Sequence, residues 1–131
     1  MSSLFAAVFL ACACLAASQG LGGFGGWQTQ DPQSDELYLE LAHNAVSSQA
    51  AGQEYYDTVV ELLEVQTQVV AGTNYKVKFV AAPSNCKVGV HQYSKERCLP
   101  KSEAPTKVCV ARFSEDLRGR ERFLFSYSCD A

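Results

Sequence analysis

The stretch EVQTQVVAGTNYKV, residues 64–77, decides how the chain is read. Its second half is a half-buried strand: Tyr75, Val77, Phe79 and Ala81 alternate with Lys76 and Lys78. Residues 55–70 before it are ambiguous. Tyr56, Val59, Val60 and Leu63 satisfy a helical template, yet Val59, Val60, Val65, Thr67, Val69 and Val70 are β-branched and favour strands. A strand beside 75–81, joined to it through Ala71-Gly72-Thr73-Asn74, makes a hairpin. The tip is unusual because it is apolar: Val69-Val70-Ala71-Gly72 stands where polar residues are the rule.

Outward from this hairpin the rest of a domain follows. Ser34 can cap a helix whose first turn carries Asp35 and Glu36, favourable at the positive end of the helix dipole. Leu37, Leu41, Ala42, Ala45 and Val46 form an apolar stripe that Gly52 ends, predicting a helix over residues 34–50. Residues 107–113 and 123–129 read as strands around the turn Leu117-Arg118-Gly119-Arg120, and 86–98 can hold another. The expected fold class is α+β, one helix packed against an antiparallel meander.

Residues 1–18 stand apart. They contain no charged side chain, and Leu4 to Ala17 is an unbroken apolar run, too short to span a bilayer and suited to a signal peptide. Cleavage is expected after Ser18 or Gly20, leaving a secreted, extracellular domain over 19–131 with a flexible arm at 19–30. Gly20, Gly22 and Gly25 formally spell G-x-G-x-x-G, but no strand precedes them and no helix opens after them, so no dinucleotide site is expected. The arm instead carries two apolar side chains, Phe24 and Trp27.

Without the leader, four cysteines remain: Cys86, Cys98, Cys109 and Cys129. In a secreted chain they imply two disulfides. Folding the chain back about Gly119 places Cys109 opposite Cys129, each ten residues away, which leaves Cys86 to pair with Cys98. A zinc site from Cys86, His91 and Cys98 is the weaker reading, since no CxxC pair is present.

Residues 1–75 carry all-acidic charge, and all eleven Lys and Arg lie from Lys76 onward. With a net charge of −3, no basic patch for nucleic acid is expected. There are two histidines, no P-loop, no H-E-x-x-H and no nucleophile elbow. Neither catalysis nor a cofactor or metal is expected. Binding is: an apolar hairpin tip and an apolar arm together suit insertion into a concave partner.

Gln68-Val69-Val70-Ala71-Gly72 resembles the Q-x-V-x-G signature of cystatins, inhibitors of papain-like cysteine proteases. Gly25-Gly26 ahead of the helix, Asn74-Tyr75 after the signature and two disulfides in the C-terminal half extend the likeness to the secreted type 2 group. Trp27, Asp31-Pro32 and Leu39-Glu40-Leu41-Ala42 are similar to cystatins secreted by ticks. The resemblance implies a long helix wrapped by a five-stranded antiparallel sheet. It also implies reversible, non-covalent plugging of a protease cleft by a three-part wedge. The arm at Phe24, Gly25 and Gly26 is the first part, Gln68–Gly72 the second, and the turn at Leu117-Arg118 the third. The family usually places Pro-Trp where Leu117-Arg118 stands, so open-cleft, cathepsin L-like enzymes are expected to be preferred over cathepsin B. Residues 47–53, Ser-Ser-Gln-Ala-Ala-Gly-Gln, lack the Ser-Asn-Asp site by which some members inhibit asparaginyl endopeptidases. A monomer that contacts no membrane is expected; the alternative is a cystatin-fold binding protein without inhibitory activity.

Overall fold

The computed structural model describes residues 25–130. Its elements run β1 (Gln28–Gln30), α1 (Glu36–Ser48), β2 (Tyr55–Val70), β3 (Gly72–Lys87), β4 (Lys107–Glu115) and β5 (Arg122–Asp130). The strands form one antiparallel sheet in the order β1-β2-β3-β4-β5, with α1 packed on one face. The signal peptide expected at 1–18, and Phe24, lie outside the described residues.

The helix is shorter than the stripe suggested, and its cap is different. Asp35, not Ser34, is the N-cap: its carboxylate accepts from the Leu37 N–H at 3.0 Å, satisfying one of the helix's free donors. Ser34 instead donates to the Asp31 carbonyl in the preceding turn. Tyr38, Leu41, Ala42, Ala45 and Val46, spaced as one helical face, are buried against Val65, Val77, Phe79, Ala111 and Phe113 of the sheet. Ala42 and Ala45 are fully buried, and their small side chains let the helix backbone lie close on the sheet. That packing, not helix propensity, holds a helix of this length in place.

The ambiguity of residues 55–70 has a structural cause. β2 is bulged between Val59 and Glu61 and again between Leu62 and Glu64, leaving Val60 and Leu63 as extra residues without cross-strand partners. Each bulge shifts the strand's alternation by one, so apolar residues occur as doublets and imitate a helical period. Val59 and Leu62 pack on the core, while Val60 and Leu63 face solvent.

Three expectations are corrected by the strands. The turn is not Ala71–Asn74: Val70 pairs with Gly72, Val69 with Thr73 and Gln68 with Asn74, so the reversal is centred on Ala71 alone. The arm is fixed as strand from Gln28, which pairs with Thr67, so residues 28–30 are no flexible tether. The fifth strand is this β1, not a strand in 86–98. That segment is mostly turns after Lys87, closed by a Cys86–Cys98 disulfide. The second bridge joins Cys109 to Cys129, which are direct cross-strand partners. A bulge between Arg112 and Phe113 offsets the register nearer the turn, where Phe113 faces Leu124.

The loop after β3 is anchored by Tyr93. Its hydroxyl meets His43 Nδ1 on the helix and Thr58 Oγ1 on β2, and its ring packs edge-on against Tyr56. Burial, with a lesser contribution from Lys95, pushes the His43 pKa below its ordinary value; Glu96 opposes. Unfolded histidine takes up a proton near pH 6.5, and folded His43 only at lower pH. The contribution is therefore fully present above about pH 7 and is lost as pH falls through 6.5 toward the folded value. Urea midpoints at pH 7.5 and 5.0 are expected to fall less in His43→Gln than in the unaltered protein. Equal falls would show that His43 contributes nothing to acid sensitivity.

Candidate functional site

The three segments singled out by sequence meet at one end of the sheet. At the first hairpin, Val69 is 67% and Val70 52% exposed, with Ala71 also open to solvent. Neither valine packs on the core. Gly72 closes this hairpin at φ +114°, a conformation that side chains resist. A Cβ there would also lie far inside contact distance of the Glu115 carbonyl oxygen at the end of β4. Gly72 therefore lets the first hairpin lie directly against the root of the second.

The second loop, Asp116 to Glu121, is tightly organised although strongly charged. Asp116 donates its N–H to the Glu121 carbonyl, and its Oδ1 accepts from Arg120 N at 3.0 Å. Gly119, at φ +69°, donates back to the Asp116 carbonyl. At the loop's root Glu115 accepts from Arg122 Nε at 2.6 Å and from the Tyr75 hydroxyl. Burial first, then the neighbouring Glu115 charge, raises the Tyr75 pKa, so the phenol keeps its proton as a donor. Leu117 projects from the turn at 81% exposed, beside exposed Arg118.

The arm joins the hairpin through hydrogen bonds. Gln68 Nε2 donates to the Gly25 carbonyl at 2.6 Å, and Asn74 Nδ2 donates to Gln68 Oε1 at 3.0 Å. Gly25 adopts φ +76°, with open space where a Cβ would stand. Gln68 thus holds the arm at Gly25–Gly26 against the first hairpin, while Gly72 holds that hairpin against the second loop. The described candidates, Gly25, Gly26, Gln68–Gly72, Leu117 and Arg118, form one continuous edge.

Sequence reasoning missed Asn74, Glu115 and Asp116. Asn74 could have been found: a hairpin turning at Ala71 makes it the cross-strand partner of Gln68. The apolar tip of the edge is exposed. The open groove of about 470 Å³ between the start of α1 and Val60–Leu62 is lined by none of the candidate residues. No cluster of three or more His, Cys, Asp or Glu able to hold a metal occurs among the described residues. His91 accepts from the Lys87 N–H through Nδ1.

Residues 25–117 match the cystatin domain family, a span that takes in the arm, the first hairpin and the start of the second loop. The chain belongs to the cystatin family. Mialostatin of Ixodes ricinus is 47% identical over 138 aligned residues, covering all of this chain and 97% of that protein. Cystatin-2 of Ornithodoros moubata is 48% identical over 130, covering 99% and 100%. Among solved structures, the salivary cystatin of the soft tick Ornithodoros moubata superposes with a TM-score of 0.76 at 48% identity, over 82% of this chain and 98% of that one. Mialostatin, a gut cystatin of the hard tick Ixodes ricinus, gives 0.73 at 49%, over 81% and 98%. Dimeric human cystatin F, at 15% identity and a TM-score of 0.70, shares the fold. Cystatins are inhibitors of cysteine proteases, not enzymes, and the present cystatin has its helix and five-stranded sheet in the family's arrangement.

Proposed function

We propose that this cystatin is a secreted, monomeric, reversible inhibitor of papain-like cysteine proteases that inserts the edge described above into the catalytic cleft. The observation that carries the reading is the exposed apolar tip Val69-Val70-Ala71, tied to the Gly25 arm through Gln68. An apolar edge gains by leaving water, and a pre-formed one loses little conformational entropy on docking. The edge fills a cleft beside the nucleophile without offering it a peptide bond, so the inhibitor leaves intact. Secretion rests on the leader at residues 1–18, and the salivary and gut origins given for the tick relatives agree with it.

Cathepsin L-like enzymes are the preferred targets in this reading, for two reasons. Phe24 directly precedes Gly25 and brings an aromatic side chain to the non-primed side of the cleft. The second loop offers Leu117 and Arg118 in place of two bulky apolar residues, which weakens its hold where a cleft is partly occluded, as in cathepsin B. Inhibition constants for residues 19–131 are expected to be lower for cathepsin L than for cathepsin B. Phe24→Ala is expected to weaken cathepsin L inhibition by about tenfold to a hundredfold, the loss that goes with one buried phenyl ring. Equal constants for the two enzymes would remove the preference, and an unchanged Phe24→Ala would remove the arm's part in it.

A further inference from the structure

The hydrogen bonds between arm and hairpin have an order that chemistry fixes. The Gly25 carbonyl can only accept, so Gln68 must present its amide NH2 to it. That turns Gln68 Oε1 away, toward Asn74, and only a donor can satisfy it there. Asn74 sits directly across the strand pair from Gln68 and supplies that donor. Its amide therefore selects which way the Gln68 amide faces. Gly25 and Gly26 have no side chains with which to pack, and β1 pairing begins only at Gln28. The Gln68 bond is thus the side-chain tether at the point where the arm leaves the sheet.

We propose that Asn74 is a positioning residue for the inhibitory edge: acting through Gln68, it fixes the arm at Gly25 against the first hairpin before a protease is met. The proposal rests on the inhibitor reading above and assigns a role to a residue outside the Gln68–Gly72 signature. An arm already held in place loses less entropy when it docks, so the relay acts on the lifetime of the complex more than on encounter.

Asn74→Asp tests it with a single functional-group change. A carboxylate only accepts, so Asp at this position draws the Gln68 NH2 toward itself and turns Oε1 onto the Gly25 carbonyl, acceptor against acceptor. The chain's one tryptophan, Trp27, lies two residues from Gly25 and is 38% exposed, so its fluorescence reports the arm without any protease present. In Asn74→Asp, acrylamide is expected to quench Trp27 more steeply than in the unaltered protein, with the thermal midpoint nearly unchanged. Dissociation from papain is expected to be about tenfold faster at a similar association rate, the size expected for one lost hydrogen bond. Gln68→Ala should raise Trp27 quenching alike and speed dissociation at least as much, since it also removes a residue of the edge, and adding Asn74→Asp to it should change nothing further. Unchanged quenching, unchanged dissociation or fully additive effects would each overturn the relay. If the unaltered protein fails to inhibit papain, the inhibitor reading falls, while Trp27 quenching still decides whether Asn74 orders the arm.

Discussion

Gly72→Ala is expected to lower stability by about 3 kcal/mol and to raise the inhibition constant for papain by two or more powers of ten. Two costs combine. At φ +114° a Cβ is strained even in empty space, and here it meets a backbone oxygen, Glu115 O, which cannot swing aside as a side chain can. Relief requires the end of β4 to move, and Asp116, whose carboxylate organises the second loop, moves with it. The thermal midpoint should fall by about 10–15 °C for a domain of this size. Gly89→Ala is the matched control, since Gly89 also has positive φ but open space around its Cβ position. It should cost about 1 kcal/mol and leave inhibition unchanged. Equal effects of the two substitutions would show that the contact between hairpin and second loop does not matter.

The double substitution Val69→Asp, Val70→Asp should have the opposite profile. Both valines are already more than half exposed, so the fold loses little when they become polar, and the thermal midpoint should stay within a few degrees. In a protease cleft the same carboxylates are stripped of water without partners, at a cost of several kcal/mol. Inhibition should weaken by about a thousandfold or more. Val90→Asp, at a residue equally exposed but far from the edge in sequence, should change neither property. Retained inhibition in the double variant would separate the apolar tip from function.

Much of this architecture is legible in the sequence, and the failures are instructive. The alternation at Tyr75–Ala81 and the apolar stripe of α1 are strong because each buries one face, which burial forces on any sequence adopting them. Symmetry about Gly119 gives the pairing of Cys109 with Cys129 only because of a bulge: the turn pairs Glu115 with Arg122, and the extra residue Phe125 then moves the register by one, which brings Cys109 opposite Cys129. What misleads is irregularity. Bulges at Val60 and Leu63 make β2 ambiguous until the alternation of 75–81 decides for a strand, and the reversal at Ala71 is tighter than the glycine at 72 suggests. β1, at three residues, is too short to carry a pattern of its own.

The candidate edge divides in the same way. Gln68–Gly72 is visible because an apolar turn breaks a rule, and Gly25 because its neighbours are glycine and aromatic. Asn74 shows only as part of the Asn74-Tyr75 likeness and Glu115 not at all, because their work is done across strands, in a register that a misplaced turn shifts. The second loop is legible as a charged turn but not as a rigid one, since its order comes from Asp116 folding back on Arg120 and Glu121. Its position against Gly72 is a property of the sheet.

Titration of oxidised residues 19–131 into papain of known active-site concentration tests the central claim directly. Protease activity is expected to fall in proportion to added inhibitor, to reach zero at one equivalent, and to return on dilution with the inhibitor uncleaved. Full papain activity in the presence of micromolar inhibitor would contradict it.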